Sequence, residues 1–190
     1  MRKLFLHINM SLDGYIDDRD RQMDWHFVDR QFEEYINGVL SGIDGMVFGR
    51  VTHELLAQYW PTAAAEPGAS EAHRESARWM HSLPKYVISR GGYTSPWHNS
   101  HAVSDIGTWW RQKRQEPGRD FALFAGAGAA QAFDALGLVD EYRILLNPVL
   151  LGGGTPLFGP APGCRPLELL GTETFGSGVV VLRYRRGGGD

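Results

Sequence analysis

The chain has 190 residues, 43% of them hydrophobic and 22% charged, with a formal charge of −3 and a pI near 6.2. That size suits one globular domain with a real core, and the charge excludes a broad basic field for nucleic acid or anionic membrane. A single cysteine, Cys164, excludes an internal disulfide or a Cys-rich zinc site and fits a reducing cytoplasm.

The opening MRKLFLHINM reads as one amphipathic strand over 3–9, not as a secretory leader. It stops at Ser11-Leu12-Asp13-Gly14, a strand running into a loop. Apolar residues at Phe27, Val28, Phe32, Tyr35, Ile36, Val39 and Leu40 recur at helical spacing, which predicts a helix over 27–40 ending at Gly42. Residues 45–48 are short, apolar and bounded by glycine, as in a buried strand, and a helix over 52–58 follows. The Pro/Ala/Gly-rich stretch 61–70 predicts an exposed loop, then a helix over 70–81, a strand over 85–89 and a second loop over 90–99. A short strand over 101–104 precedes a helix that Asp105 would cap. A strand over 121–124, a helix over 129–136 and a long strand over 141–151 come next. Residues 167–174 and 179–185 then form a closing hairpin around Gly176-Ser177-Gly178.

Strands and helices alternate through the first three quarters of the chain. That predicts an α/β fold with a mostly parallel sheet flanked by helices on both faces. The last strands follow one another directly, so the sheet should end in an antiparallel edge. One domain over 1–186 is expected, followed by a flexible Gly-rich tail, 187–190. No apolar run approaches the ~20 residues of a membrane helix, so a cytoplasmic protein without membrane or nucleic-acid partners is expected.

Three strand-to-helix turns share a chemical character: Gly49-Arg50-Val51-Thr52, Ser89-Arg90-Gly91-Gly92, and Ala125-Gly126-Ala127-Gly128-Ala129-Ala130. In an open α/β sheet, ligands bind at the C-terminal strand ends. Helix N-termini there present free N–H groups and partial positive charge to phosphate. Small residues let backbone approach a pyrophosphate, and arginine forks onto phosphate oxygens. Two arginine turns and one Gly-rich turn together suit a dinucleotide with an additional phosphate. Singly, each also fits a plainer role: tight strand–helix packing for the glycines, solvated surface positions for Arg50 and Arg90. The Gly-rich turn is not a Rossmann fingerprint, since it lacks the third glycine and the following acid.

Several stretches, in order, resemble the bacterial riboflavin-biosynthesis reductase domain, the RibD C-terminal family of the dihydrofolate-reductase-like superfamily. They are Asn9-Met10-Ser11-Leu12-Asp13-Gly14-Tyr15-Ile16, Phe48-Gly49-Arg50-Val51-Thr52-His53-Glu54 with Tyr59-Trp60-Pro61, and Val87-Ile88-Ser89-Arg90. Then come Gly137-Leu138-Val139-Asp140-Glu141-Tyr142 and, most specific, Pro148-Val149-Leu150-Leu151-Gly152-Gly153-Gly154-Thr155-Pro156-Leu157-Phe158. The resemblance implies a three-layer dihydrofolate-reductase-like fold and NADPH as cofactor. Gly49, Arg50 and Thr52 would hold cofactor phosphate, with Ser89 and Arg90 at the 2′-phosphate. Ala125, Gly126, Ala127, Gly128 and Ala129 would lie under the pyrophosphate. The family's glycine pair at this turn often contains a cis peptide; here the pair reads Ala125-Gly126. The loop 11–16, with Gly14, would cover the nicotinamide.

For chemistry, Asp13 in that loop and Glu33 on the first long helix are the candidate acids, with Asp29 and Glu34 beside it; a turn role and solvated-face roles are their plainer readings. Trp25, Tyr59 and Trp60 are candidates to stack on a flat substrate, or else pack core and loop. No metal site is expected, and the His-x-Glu with Pro-Cys-x-x-Cys of zinc deaminases is missing. The implied activity is hydride transfer to a heterocycle, either a riboflavin-pathway pyrimidine such as 5-amino-6-(5-phosphoribosylamino)uracil or a pterin or folate. A domain that binds NADPH without turnover is the alternative. The resemblance and the apolar closing strands also imply a homodimer.

Overall fold

The computed structural model describes residues 1–159 and 163–187. The expected flexible tail, Gly187 apart, lies outside the described residues. Among the described residues, fourteen elements follow one another. They are β1 (Leu4–Ser11), α1 (Arg30–Ser41), β2 (Ile43–Gly49), α2 (Arg50–Leu56), α3 (Trp60–Ala63), α4 (Glu71–Ser82), β3 (Lys85–Ile88), β4 (Ser100–Val103), α5 (Ile106–Lys113), β5 (Asp120–Leu123), α6 (Ala127–Ala135), β6 (Glu141–Asn147), β7 (Leu167–Thr174) and β8 (Val180–Arg186). The eight strands make one sheet in the order β4-β3-β2-β5-β1-β6-β8-β7. The pairings from β4 through to β6 are parallel, while β8 pairs antiparallel with both β6 and β7. This is the expected α/β architecture with its antiparallel C-terminal edge.

Side-chain alternation builds the layers. Leu4 and Leu6 of β1 join Val47, Phe121 and Leu123 on one face, covered by Trp110 of α5 and by Ala130 and Phe133 of α6. Phe5 joins Met46, Phe48 and Ala122 on the other, under Val39 and Leu40 of α1 and Met80 of α4. β5 and β2 show no alternation that water would impose, because each lies between two helical layers. No helix among the described residues is long and apolar enough to cross a membrane.

Some boundaries differ from the sequence reading. The first long helix begins at Arg30, not at residue 27, because the Asp29 carboxylate accepts the Phe32 N–H at 2.8 Å and starts it there. Phe27 instead donates its N–H to the Asn147 side chain at 3.0 Å. The stretch 61–70 is not all loop; its start belongs to the short helix α3, with Pro61 in the first turn, where the missing N–H costs nothing. β6 ends at Asn147 rather than at 151, immediately before Pro148, which cannot donate to a ladder. Asp105 and Ser70 cap α5 and α4 through their side chains. The hairpin closes between Phe175 and Val179 as expected.

Candidate functional site

Because the strands β3, β2, β5 and β1 are adjacent and parallel, their C-terminal turns stand side by side on one edge. The three turns singled out by the sequence are therefore neighbours in space. A Cβ on Gly49 would stand 3.2 Å from that of Ala129, and the Gly126 N–H donates to Thr52 Oγ1 at 3.1 Å. Both helices behind these turns begin two residues earlier than the sequence suggests, at Arg50 and Ala127. Their N-caps are Gly49 and Gly126, and neither helix has a side-chain cap. The N–H groups of the first turn of each helix have no intrahelical partner. A Cβ on Gly128 would meet open space, so internal packing does not require glycine there. Gly126 lies at φ −66, so a positive φ is not what requires glycine at this turn. Every described peptide bond is trans, Ala125–Gly126 included. A cis bond without proline costs about 2.5–4 kcal/mol.

The two arginines differ. Arg50 pairs with Glu54 at 3.1 Å, one helical turn on, with both side chains about half exposed. Such a pair is worth only about 0.3–0.5 kcal/mol, so it yields readily to a better anion. Arg90 is exposed and makes no ion pair or side-chain hydrogen bond among the described residues. Its neighbour Ser89 donates its N–H to Val103 O at 3.0 Å, which pins the strand end.

On the other side of β5, the loop after β1 is clasped to the segment after β6. Asp13 accepts hydrogen bonds from Ser11 Oγ (2.7 Å), Leu151 N (3.2 Å) and Gly152 N (2.8 Å). These donors, Ser11 first, hold its carboxyl below the usual aspartate range. Gly14 has φ +91 and turns the chain back. Tyr15 bridges to Pro156, and Thr155 N donates to the Asp17 carboxylate at 2.7 Å. A Cβ on Gly154 would collide with the Asp17 carbonyl. Of the three glycines in this stretch, Gly154 thus serves close backbone passage, while Gly152 lies at φ +67 with nothing within 4 Å. Leu12, Val51 and Leu150 remain exposed on these strand-end loops.

The remaining candidates fall into separate places. Glu33 accepts Ser70 Oγ at 2.9 Å and approaches His73 at 3.9 Å, so it braces α1 against the start of α4. Tyr59 bonds His73 at 2.9 Å, and Trp60 stacks on the same imidazole. Glu33, Tyr59 and Trp60 therefore share one cluster around His73. Trp25 stands apart from it, edge-on to His26, with its indole N–H on Gln22 O. Glu34 is paired with Arg30 on the solvent side of α1 at 2.7 Å.

The sequence reading missed a polar strip under α1. His7 lies beside Arg143 in the β1–β6 register and is almost fully buried. Burial, then the Arg143 charge, pushes its pKa down to about 3, so the ring is neutral. Its Nε2 and the hydroxyl of Tyr35, which stacks on it, are both buried without a partner among the described residues. Two residues along β1, Asn9 accepts from Asn147 Nδ2 at 3.1 Å. The signal was present as polar residues at alternate positions of an otherwise apolar strand, Phe5-His7-Asn9-Ser11. The amphipathic pattern alone does not say what lies over the polar face, and here it is α1, through Tyr35.

The chain matches the profile of the RibD C-terminal domain over residues 2–116 and 103–181. It belongs to that family. It is 32% identical to the uncharacterized protein YyaP of Bacillus subtilis over 98% of this chain and 96% of that one. Among solved structures, a putative riboflavin biosynthesis protein from Shewanella sp. PV-4 superposes with a TM-score of 0.74 at 23% identity, covering 97% and 99% of the two chains. A Thermotoga maritima diaminohydroxyphosphoribosylaminopyrimidine deaminase/5-amino-6-(5-phosphoribosylamino)uracil reductase gives 0.66 at 12% identity, over 97% of this chain and 56% of that one. These structural likenesses establish the fold that the RibD family shares.

Proposed function

We propose that the protein is an NADPH-dependent reductase acting on a small planar heterocycle. The observation that carries this reading is the convergence of two uncapped helix N-termini with Arg50 and the unpaired Arg90 at adjacent strand ends. That set fits a dinucleotide with an additional phosphate: backbone N–H groups for the pyrophosphate, guanidinium groups for the 2′-phosphate. The open space beside Gly128 leaves room for the phosphates to approach. When bound, NADPH would supply the hydride.

Gly49, Thr52 and residues 125–129 seat the pyrophosphate, and Ser89 with Arg90 engages the 2′-phosphate. The Asp13 clasp, which ties the 11–16 loop to Leu151 and Gly152, would keep that loop beside a bound nicotinamide. Asp13 and Glu33 both have their carboxylates engaged, so in this reading they order loops and helices, and solvent supplies the proton. Of the polar strip, half-buried Asn9 offers an amide to a heterocycle of the riboflavin-pathway pyrimidine or pterin kind, while His7 Nε2 and the Tyr35 hydroxyl stay buried under α1. The engagement of both acids is also what favours the second reading, an NADPH-binding domain without turnover.

Titration with NADPH and NADH, followed by NADPH oxidation with 5-amino-6-(5-phosphoribosylamino)uracil and with dihydrofolate, tests this. The expected result is tighter binding of NADPH and oxidation with one of the two. Saturable binding with neither substrate oxidised supports the second reading, and no binding defeats both.

The same reading includes a cytoplasmic homodimer. β7 is an edge strand, with Leu167, Leu169 and Leu170 exposed, a row that an isolated chain leaves in water. Light scattering should give twice the 21.2 kDa of one chain; a monomer at micromolar concentration refutes the pairing.

A further inference from the structure

The loop between β3 and β4 carries Ser89 and Arg90 at its start, and it is anchored unevenly. Ser89 is fixed through its N–H to Val103 O. Arg90, Gly91 and Gly92 are exposed, and a Cβ on either glycine would meet nothing within 4 Å. The next anchor is Tyr93, whose hydroxyl lies 3.0 Å from His53 Nδ1. Further on, Trp97 is buried and packs its ring 5.2 Å from that of His53. The far end of the loop is held as well: His53 Nε2 lies 3.0 Å from Ser100 Oγ at the start of β4.

His53 is fully buried, and burial, with the nearby Lys85 charge, pushes its pKa down to about 4. A neutral imidazole has one donor and one acceptor nitrogen. Two hydroxyls, each able to give or take, are the partners that satisfy it in either tautomer. Thr52, the residue before it, accepts the Gly126 N–H at 3.1 Å. Adjacent residues of one short helix therefore tie down two different arms of the strand-end site, the 125–129 turn through Thr52 and the 89–99 loop through His53.

A solvated Arg-Gly-Gly tip is otherwise loose, since glycine removes the main restraint on backbone torsion. A cation held near its target binds better than one that must be ordered on binding. We propose that His53 is a positioning residue: through Tyr93 and Ser100 it fixes the 89–99 loop, places Arg90 at the cofactor's 2′-phosphate, and so sets the preference for NADPH over NADH. The inference rests on the NADPH reading above and adds the residue that enforces the selectivity.

The test measures dissociation constants for NADPH and NADH in the parent, Tyr93→Phe, His53→Leu and His53→Gln. Tyr93→Phe keeps the ring and removes only the hydroxyl, so it remains informative if a His53 variant does not fold. Tyr93→Phe and His53→Leu should each weaken NADPH about 10-fold, the equivalent of one preorganised charge-assisted contact, while NADH changes less than about 2-fold. His53→Gln, which can still donate and accept, should recover part of the ratio. A filler role for His53 would weaken both nucleotides together or neither. Either of those results, in a parent that prefers NADPH, overturns this inference and leaves the cofactor reading intact. A parent that binds the two nucleotides equally, or neither, overturns both.

Discussion

The two halves of the strand-end edge are built from different materials. On the β3–β2–β5 side, the groups facing outward are backbone N–H groups, small residues, an unpaired arginine and another in a weak surface pair. On the β1–β6 side, the side chains already have partners: Asp13 has three donors and Asn147 joins Asn9 to Phe27. The first half leaves Arg90 and its first-turn N–H groups unengaged among the described residues, and the second uses its side chains to hold its own loops in place. A backbone cradle needs only small residues and a helix start, both local properties. The role of a carboxylate depends on which donors the fold brings to it.

That contrast is easiest to break at Gly126. Gly126→Val should abolish NADPH binding while the unliganded protein still melts near the parent temperature. The added Cβ meets only Thr52 Oγ1 at an ordinary 3.4 Å, and φ −66 suits any residue. A sharp fall in melting temperature with the NADPH-induced shift intact would mean that the turn is packing alone. A smaller effect is expected from removing both Arg50 and Arg90 as alanines. Charge-assisted contacts are worth about 1.5–3 kcal/mol each, so each loss should narrow the NADPH preference by about an order of magnitude or more. Unchanged NADPH affinity in the double variant would remove the 2′-phosphate from this edge.

A separate effect concerns stability rather than binding and samples both halves. His7, His26 and His53 are neutral in the fold, held down mainly by burial to about 3, 4 and 4 against 6.5 for the free side chain. The unfolded chain therefore takes up these protons first as pH falls. The stability these histidines provide is complete above about pH 6.5 and is lost on acidification toward pH 4. The slope approaches about 1.4 kcal/mol per pH unit for each histidine that is protonated only when unfolded. Urea melts at pH 7 and pH 5 should show the loss. A flat profile would mean that these rings are solvated, and the polar strip under α1 with them.

Much of the fold was legible because its signals are local. Ser70 and Asp105 cap where helix-start chemistry predicts, and the Gly176-Ser177-Gly178 turn closes the hairpin. Some misplacements had local causes, as at Pro61 and Pro148, and others came from bonds across the chain. Residue 27 looked helical by spacing alone, but its N–H is taken by Asn147, 120 residues away in sequence. The sequence likewise made Trp25, Tyr59 and Trp60 joint candidates to stack on a substrate, yet His73 gathers only the latter two.

The sequence by itself determined the alternation of strands and helices, the antiparallel close, and the glycine and arginine turns at the strand ends. Each of these depends on residues within a few positions of one another, through periodicity, capping and backbone freedom. Only the tertiary structure decided that β3, β2, β5 and β1 lie side by side, which turns four separate loops into one edge. It alone buried His7 and His53 as neutral rings, engaged Asp13 and Glu33, and left Arg90 unpaired among the described residues. A side chain's charge and hydrogen-bonding state are set by what surrounds it, and strand order and long-range packing supply those surroundings.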